Sequence, residues 1–199
     1  MEKFYDERKA WKKKMIEYQK EREVCTDRKR KRELDTLIKR ANNNQMVRKI
    51  ALNSAYGALA NQYFAFFSID LAEAITTSGQ LIIQWSERTI NEFMNKTLGT
   101  EDEDFVIAMD TDSVYITMDK LVQKVLPEET DKDKIIDFLN KSEGMFEKIL
   151  ADGFDELAEY TNAFQNKMEM GREVIADRGI WTAKKRYILN VHDNEGVRL

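Results

Sequence analysis

One cysteine, one proline and one histidine in 199 residues close off several kinds of chemistry at once. A lone Cys25 cannot form an internal disulfide, so nothing staples the chain, and a reducing, cytoplasmic setting is expected. Neither Cys25 nor His192 has the neighbours in sequence that a zinc site or a Cys/His nucleophile pair requires. Glycine is sparse as well, and no glycine-rich phosphate loop occurs, which leaves P-loop chemistry without support. No apolar run approaches the ~18 residues of a membrane span and no signal-peptide pattern opens the chain, so no membrane partner is expected.

What is present is charge, in an uneven distribution. Hydrophobic residues make up 42% and charged residues 34%, which describes a folded soluble chain rather than a disordered one. Residues 1–50 hold 17 Lys/Arg against 9 Asp/Glu, a net +8; the remainder holds 15 against 27, a net −12. Such polarity permits a basic arm for a polyanion beside an acidic body for a metal, and is equally compatible with a solvated basic helix. The run RKRKR at 28–32 is read as such a solvated face and given no site.

The local pattern predicts an α+β chain. From Lys3 to about Leu59 the residues are strong helix formers, giving two long helices with a break near Val24–Arg28. Leu34, Leu37, Ile38 and Ala41 form an apolar edge on the second. A further helix over much of 60–98, with Leu71, Ala74, Ile75, Leu81, Ile82, Trp85, Ile90 and Phe93, is expected to be buried with a thin polar edge. FVIAM and SVYITM, either side of Asp110–Asp112, read as a hairpin with acids at its turn. Residues 119–129 read as a connector. Thr130 and Asp133 suggest a capping box before helical material to about residue 165. The last third reads as strands with turns at Asp177–Gly179 and Asn194–Gly196.

Three short stretches carry chemistry. In KIALNSAYG, Asn53 and Tyr56 follow Lys49 by four and seven residues, so on a helix they lie about 40° and −20° from the lysine and the three form one stripe. A lysine suits a phosphate as a mobile point charge, and a tyrosine offers a flat apolar face with a polar tip. In DTDS, Asp110 and Asp112 are two apart, so on extended backbone both carboxylates emerge on one side, as hard ligands for Mg2+ or Mn2+. An acidic turn alone is equally explained by the local turn preference of aspartate. In TAKKRY, Lys184, Lys185 and Arg186 place three cations on a strand, with Tyr187 able to pack beside a sugar or base edge.

In this order, the three stretches resemble the fingers and palm motifs of family B DNA polymerases, in particular the replicative enzymes of the T-even phage type. NQYFAFFSIDLAEAITTSGQLIIQW, EDEDFVIAMDTDSVYI and YILNVHDNEG are similar to the same group, and the resemblance spans roughly residues 33–199. It implies helical fingers over 1–57 and a palm over 58–199. It further implies template-directed transfer of a deoxynucleotide to a primer 3′-hydroxyl with two divalent ions. Lys49 would then meet the triphosphate, Asn53 support the same pocket, and Tyr56 lie beside the nascent base pair. Asp112 would be a bridging metal ligand, with Asp110 beside it. Glu173 in MGREV matches a further acid of the family near the palm centre. Lys184, Lys185, Arg186 and Tyr187 would contact primer–template DNA. A reverse-transcriptase-type palm would show adjacent aspartates, which DTDS does not.

The family's other aspartate motif, D-x-x-S-L-Y-P-S, is not present in this chain, nor are exonuclease and thumb segments. The expectation is therefore a piece of a longer enzyme or one subunit of a split one, inactive without the missing N-terminal portion. Its sheet edge would be open to a partner chain or to self-association. A non-catalytic module for DNA binding or subunit association is the alternative. Met109 replaces the glycine common before the first aspartate, and the stretch between Glu173 and Trp181 is short.

Overall fold

Asp27 decides where the second helix starts. Its side chain accepts from the backbone N–H of Lys29 at 3.0 Å and of Arg30 at 3.3 Å, satisfying donors that a helix start leaves orphaned. The computed structural model describes residues 1–199 and has α1 at Glu2–Val24 and α2 at Arg28–Leu59, with the break where the weak formers Cys25, Thr26 and Asp27 stand. Two ion pairs near the break tie the helices: Arg22 Nε to Asp35 Oδ1 at 2.5 Å, and Arg30 Nη2 to Glu21 Oε1 at 2.8 Å. A third, Arg48 Nε to Glu7 Oε2 at 2.7 Å, closes the other end of the pair. Leu34, Ala41 and Gln45 are the buried residues of α2 and fall on one stripe; α1 has none.

The chain divides into two compact units, residues 1–75 with 194–199, and residues 76–193. The first contains the α1–α2 pair, the start of α3 (Ile69–Leu98) and the short final strand β5 (Val197–Arg198). There Lys12 pairs with Glu195, and Gly196 adopts φ +79° so close to Lys20 that a Cβ would lie 2.7 Å from its Nζ.

The second unit is built on the remainder of α3. Its core joins Ile90 and Met94 of α3 to Phe105, Val106, Leu121, Leu150 and Phe154. These come from β1 (Val106–Asp110) and the residue before it, α4 (Asp119–Val125) and α5 (Lys132–Tyr160), with β2 (Ser113–Ile116) lending Val114 and Ile116. A second hairpin follows, β3 (Val174–Ala183) and β4 (Arg186–Asn194). The architecture is α+β, dominated by helix, as the composition of the segments predicted.

Four local expectations differ from the structure. The start of α3 is not buried: Ile69, Leu71 and Ile75 stay about half exposed, because the core that packs on this helix begins only near Ile82. Residues 119–125, read as connector, form α4, whose Leu121 supplies a core side chain. The cap of α5 is Asp131, accepting from Asp133 N–H at 3.0 Å, rather than Thr130. Finally, β3 runs unbroken through Asp177–Gly179, and the hairpin turn falls instead at Lys184–Lys185, with Lys185 at φ +61°.

Candidate active site at two hairpin turns

Two asparagines one turn apart on α3 aim the first hairpin. Asn95 donates to Glu103 O at 2.8 Å and accepts from Glu103 N–H at 3.0 Å; Asn91 accepts from Phe105 N–H at 2.9 Å. The loop is thus pinned just before β1, and Thr117 N–H closes back on Phe105 O at 2.9 Å beyond β2. Between these anchors the strands pair antiparallel, Ala108 opposite Tyr115 and Asp110 opposite Ser113, with an irregularity at Ile107.

The tip is tighter than extended backbone. Asp110 ends β1, Thr111 takes φ +58°, and Asp112 N–H bonds Asp110 O at 2.6 Å. The two carboxylates therefore leave a turn, not successive same-face positions of a strand, which corrects the geometry expected from spacing alone. Asp110 is half-buried and its Oδ1 accepts from Thr111 Oγ1 at 2.9 Å; Asp112 is exposed. Ser113 Oγ donates to Asp110 O at 3.1 Å and braces the turn. No group of three or more His, Cys, Asp or Glu side chains gathers here or elsewhere as a metal cage. Two hard oxygen donors fit a partial Mg2+ or Mn2+ site, and further ligands would have to come from outside this set.

The second hairpin carries the cations. Lys184 and Lys185 occupy its turn and Arg186 opens β4, a correction to the three-cations-on-a-strand expectation. All three are exposed, and Thr182 Oγ1 donates to Arg186 O at 3.1 Å across the turn. Rings join the two hairpins. Tyr115 of β2 lies 5.3 Å from Trp181 of β3 and 5.5 Å from Tyr187 of β4, centroid to centroid and edge-on to both, while Trp181 and Tyr187 stack at 6.3 Å. Burial pushes the Tyr115 phenol above its ordinary range, and a hydrogen bond with Tyr187 pushes it the same way, against a smaller opposing contribution from Ser113. The acid turn and the basic turn are therefore linked through aromatic side chains, which sequence spacing did not reveal.

Glu173 stands just before β3, exposed, beside an anchored neighbour. Arg172 donates to Asp193 at 2.5 Å, to Asn140 at 2.6 Å and to Glu143 at 3.1 Å. Asp177, on β3, accepts from Lys132 Nζ at 2.8 Å and from Asn190 Nδ2 at 2.7 Å, and His192 Nε2 lies 3.2 Å away. Those contacts, Lys132 foremost, hold its carboxyl well below the usual carboxylate range. A cleft of about 560 Å³ between α3 and the 102–104 loop, lined by Glu87, Arg88, Asn91 and Asp104 among others, includes none of the predicted site residues.

In the first unit, Lys49, Asn53 and Tyr56 lie on a continuous helix, as the stripe requires, and all three are exposed. The buried residues Leu34, Ala41 and Gln45 all lie earlier on α2, whereas Arg48 already pairs with Glu7 near the start of α1, so the polar stripe lies on the length of α2 beyond that pairing and faces solvent. No helix is long and apolar enough to cross a membrane.

The profile of DNA polymerase family B matches residues 1–128. Among curated proteins, the DNA-directed DNA polymerase of Enterobacteria phage T4 is 44% identical over 168 residues, covering 79% of this chain and 19% of the relative. That of Escherichia phage RB69 is 44% identical over 164 residues, 77% of this chain and 18% of the relative. The chain thus spans less than a fifth of the length of these relatives. With the profile covering more than half of its residues, the chain belongs to DNA polymerase family B.

Proposed function

We propose that this chain contributes to a DNA-directed DNA polymerase part of the fingers, residues 1–57, and part of the palm, residues 58–199. The observation that carries the reading is a turn offering two carboxylates, Asp110 and Asp112, joined through Tyr115 to a turn offering Lys184, Lys185 and Arg186. An acid pair for metal beside cations for phosphate is what nucleotidyl transfer on a duplex needs.

Asp112 and Asp110 would hold part of a pair of divalent cations, Mg2+ or Mn2+, which when bound neutralise charge on the attacking and leaving oxygens. Lys49 binds the triphosphate of the incoming nucleotide as a point charge, Asn53 donates into the same pocket, and Tyr56 supplies a flat face beside the new base pair. Lys184, Lys185 and Arg186 neutralise primer–template phosphates without reading sequence, and Tyr187 sits next to them on β4. Glu173 is an accessory acid. The primer 3′-hydroxyl attacks the α-phosphorus and pyrophosphate leaves. The remaining ligands come from an N-terminal polymerase portion or second subunit. β1 and β2 have no other strand neighbour in their sheet, so an outer edge is open to that partner or to a second copy.

Mixing the chain with an N-terminal polymerase fragment and measuring Mg2+-dependent primer extension tests this. Extension abolished by Asp112→Asn supports the metal role; extension indifferent to it removes that role. Light scattering tests self-association, and a strictly monomeric chain at high concentration argues against an open edge. The exposed cations Lys184, Lys185 and Arg186 by themselves support a second reading, a module that binds DNA or a subunit without catalysis. That reading predicts duplex binding by the mixture with no extension under any metal.

A further inference from the structure

The geometry points to Tyr115 as a positioning residue: packed against Trp181 and Tyr187, its ring sets the separation between the acid turn at Asp110–Asp112 and the basic turn at Lys184–Arg186. Its purpose rests on the polymerase reading above; its geometry does not.

The placement of the three rings is specific. Tyr115 is two residues beyond Ser113, on the strand that leaves the acid turn. Trp181 and Tyr187 flank the Lys184–Lys185 turn from opposite strands. Each hairpin therefore offers its aromatic groups within a few residues of its own turn, where a small rotation would move the turn most. Both contacts of Tyr115 are edge-on, with interplanar angles of 73° and 64°, the arrangement in which a ring's positive edge meets a neighbour's negative face.

The cluster does not serve the core. Trp181 and Tyr187 remain 36% and 44% exposed, and none of the three belongs to the buried set around Ile90 and Phe105. Gly179 gives an independent sign that the indole is held in place. A Cβ there would lie 2.5 Å from the Trp181 ring and 2.8 Å from Leu189, so the ring lies across the strand over a position that only glycine leaves open. A half-exposed tryptophan bedded in this way fixes where Tyr115 meets it.

Tyr115 then acts through others: it touches neither nucleotide nor metal. Without it, the carboxylates and the cations each keep their chemistry but lose a set distance from one another. Primer phosphates gripped by one turn would meet the acids of the other over a spread of separations.

Spin labels at Met109→Cys and Ile188→Cys, both exposed positions, in a Cys25→Ser background read the separation directly by double electron–electron resonance. The unaltered trio gives one narrow distance distribution. Tyr115→Ala broadens it about twofold, Tyr115→Phe restores most of the narrowness because the rings remain, and Gly179→Ala broadens it by displacing Trp181. Far-ultraviolet circular dichroism accompanies each variant. A folded Tyr115→Ala chain with an unchanged distribution overturns the proposal. Should that variant not fold, Trp181→Leu at its half-exposed site decides, and a narrow distribution there overturns it equally. Fluorescence anisotropy of a labelled primed duplex separates this from the polymerase reading. Tyr115→Ala lowers affinity about threefold at an unchanged salt slope, because the cations are intact but unlocated, whereas Lys184→Ala lowers the slope itself. A duplex that fails to bind the unaltered chain, with the distances behaving as expected, sinks the reading and leaves the pin.

Discussion

Replacing Arg172 with methionine removes one partner of a buried ion pair. Asp193 is 1% exposed, and the Arg172 guanidinium reaches it at 2.5 Å while also donating to Asn140 and Glu143. Methionine keeps the length and apolar stem of the side chain but leaves a buried carboxylate without its cation. Taking one partner from such a pair costs about 3–5 kcal/mol, against about 0–1 kcal/mol for an exposed one. The pair with Glu143 lies nearer solvent and adds little to that sum. For a unit of this size the loss lowers Tm by roughly 10–20 °C. Urea unfolding followed by circular dichroism measures it. Asp193→Asn in the Arg172→Met background should recover about half of the loss, since a neutral amide tolerates burial when hydrogen-bonded. A cost for Arg172→Met below about 1 kcal/mol would refute the argument, because the pair would then be worth no more than a surface contact.

Asp177 gives a pH dependence with a defined sign. Its carboxyl is held low chiefly by Lys132, then by Asn190 and His192, so its contribution is complete above the unfolded value near pH 4 and is lost as pH falls below it. Asp177→Asn should therefore be less stable than the parent at neutral pH and converge with it in acid; a gap that stays constant with pH would contradict this. Asp27→Ala removes the cap of α2 and should cost about 1 kcal/mol, visible as faster amide exchange at Lys29 and Arg30. Exchange unchanged at those two amides would show that the cap is not what holds the helix start. Lys184→Ala and Lys185→Ala should each reduce the salt slope of duplex binding by about one, uniformly across sequences, and an unchanged slope would remove these residues from the phosphate contacts.

Much was legible because it depends on neighbours in sequence. Helix formers with no proline and a single glycine, Gly57 near the end of the second, specify α1 and α2, and the weak formers at 25–27 end one and start the other. The β-branched and aromatic runs FVIAM and SVYITM on either side of the acids specify a hairpin with Asp110–Asp112 at its tip. The spacing of Lys49, Asn53 and Tyr56 places them on one helical stripe whatever that helix packs against. Three motifs in order were enough to indicate family B, to which the chain belongs. Other features depend on groups far apart in the chain. Hairpin pairing put the second turn at Lys184–Lys185, although Asp177 and Gly179 look like turn residues, because ladder bonds along β3 outweigh the local preference. Core reach, not periodicity, decided that Leu71 and Ile75 stay exposed while Ile90 and Met94 are buried. The meeting of Tyr115 with Trp181 and Tyr187 needed both hairpins to be folded, since only close approach of residues some seventy positions apart creates a ring contact. Local propensity is written residue by residue and can be read from a string; contact is a property of pairs, and the pairs exist only in three dimensions.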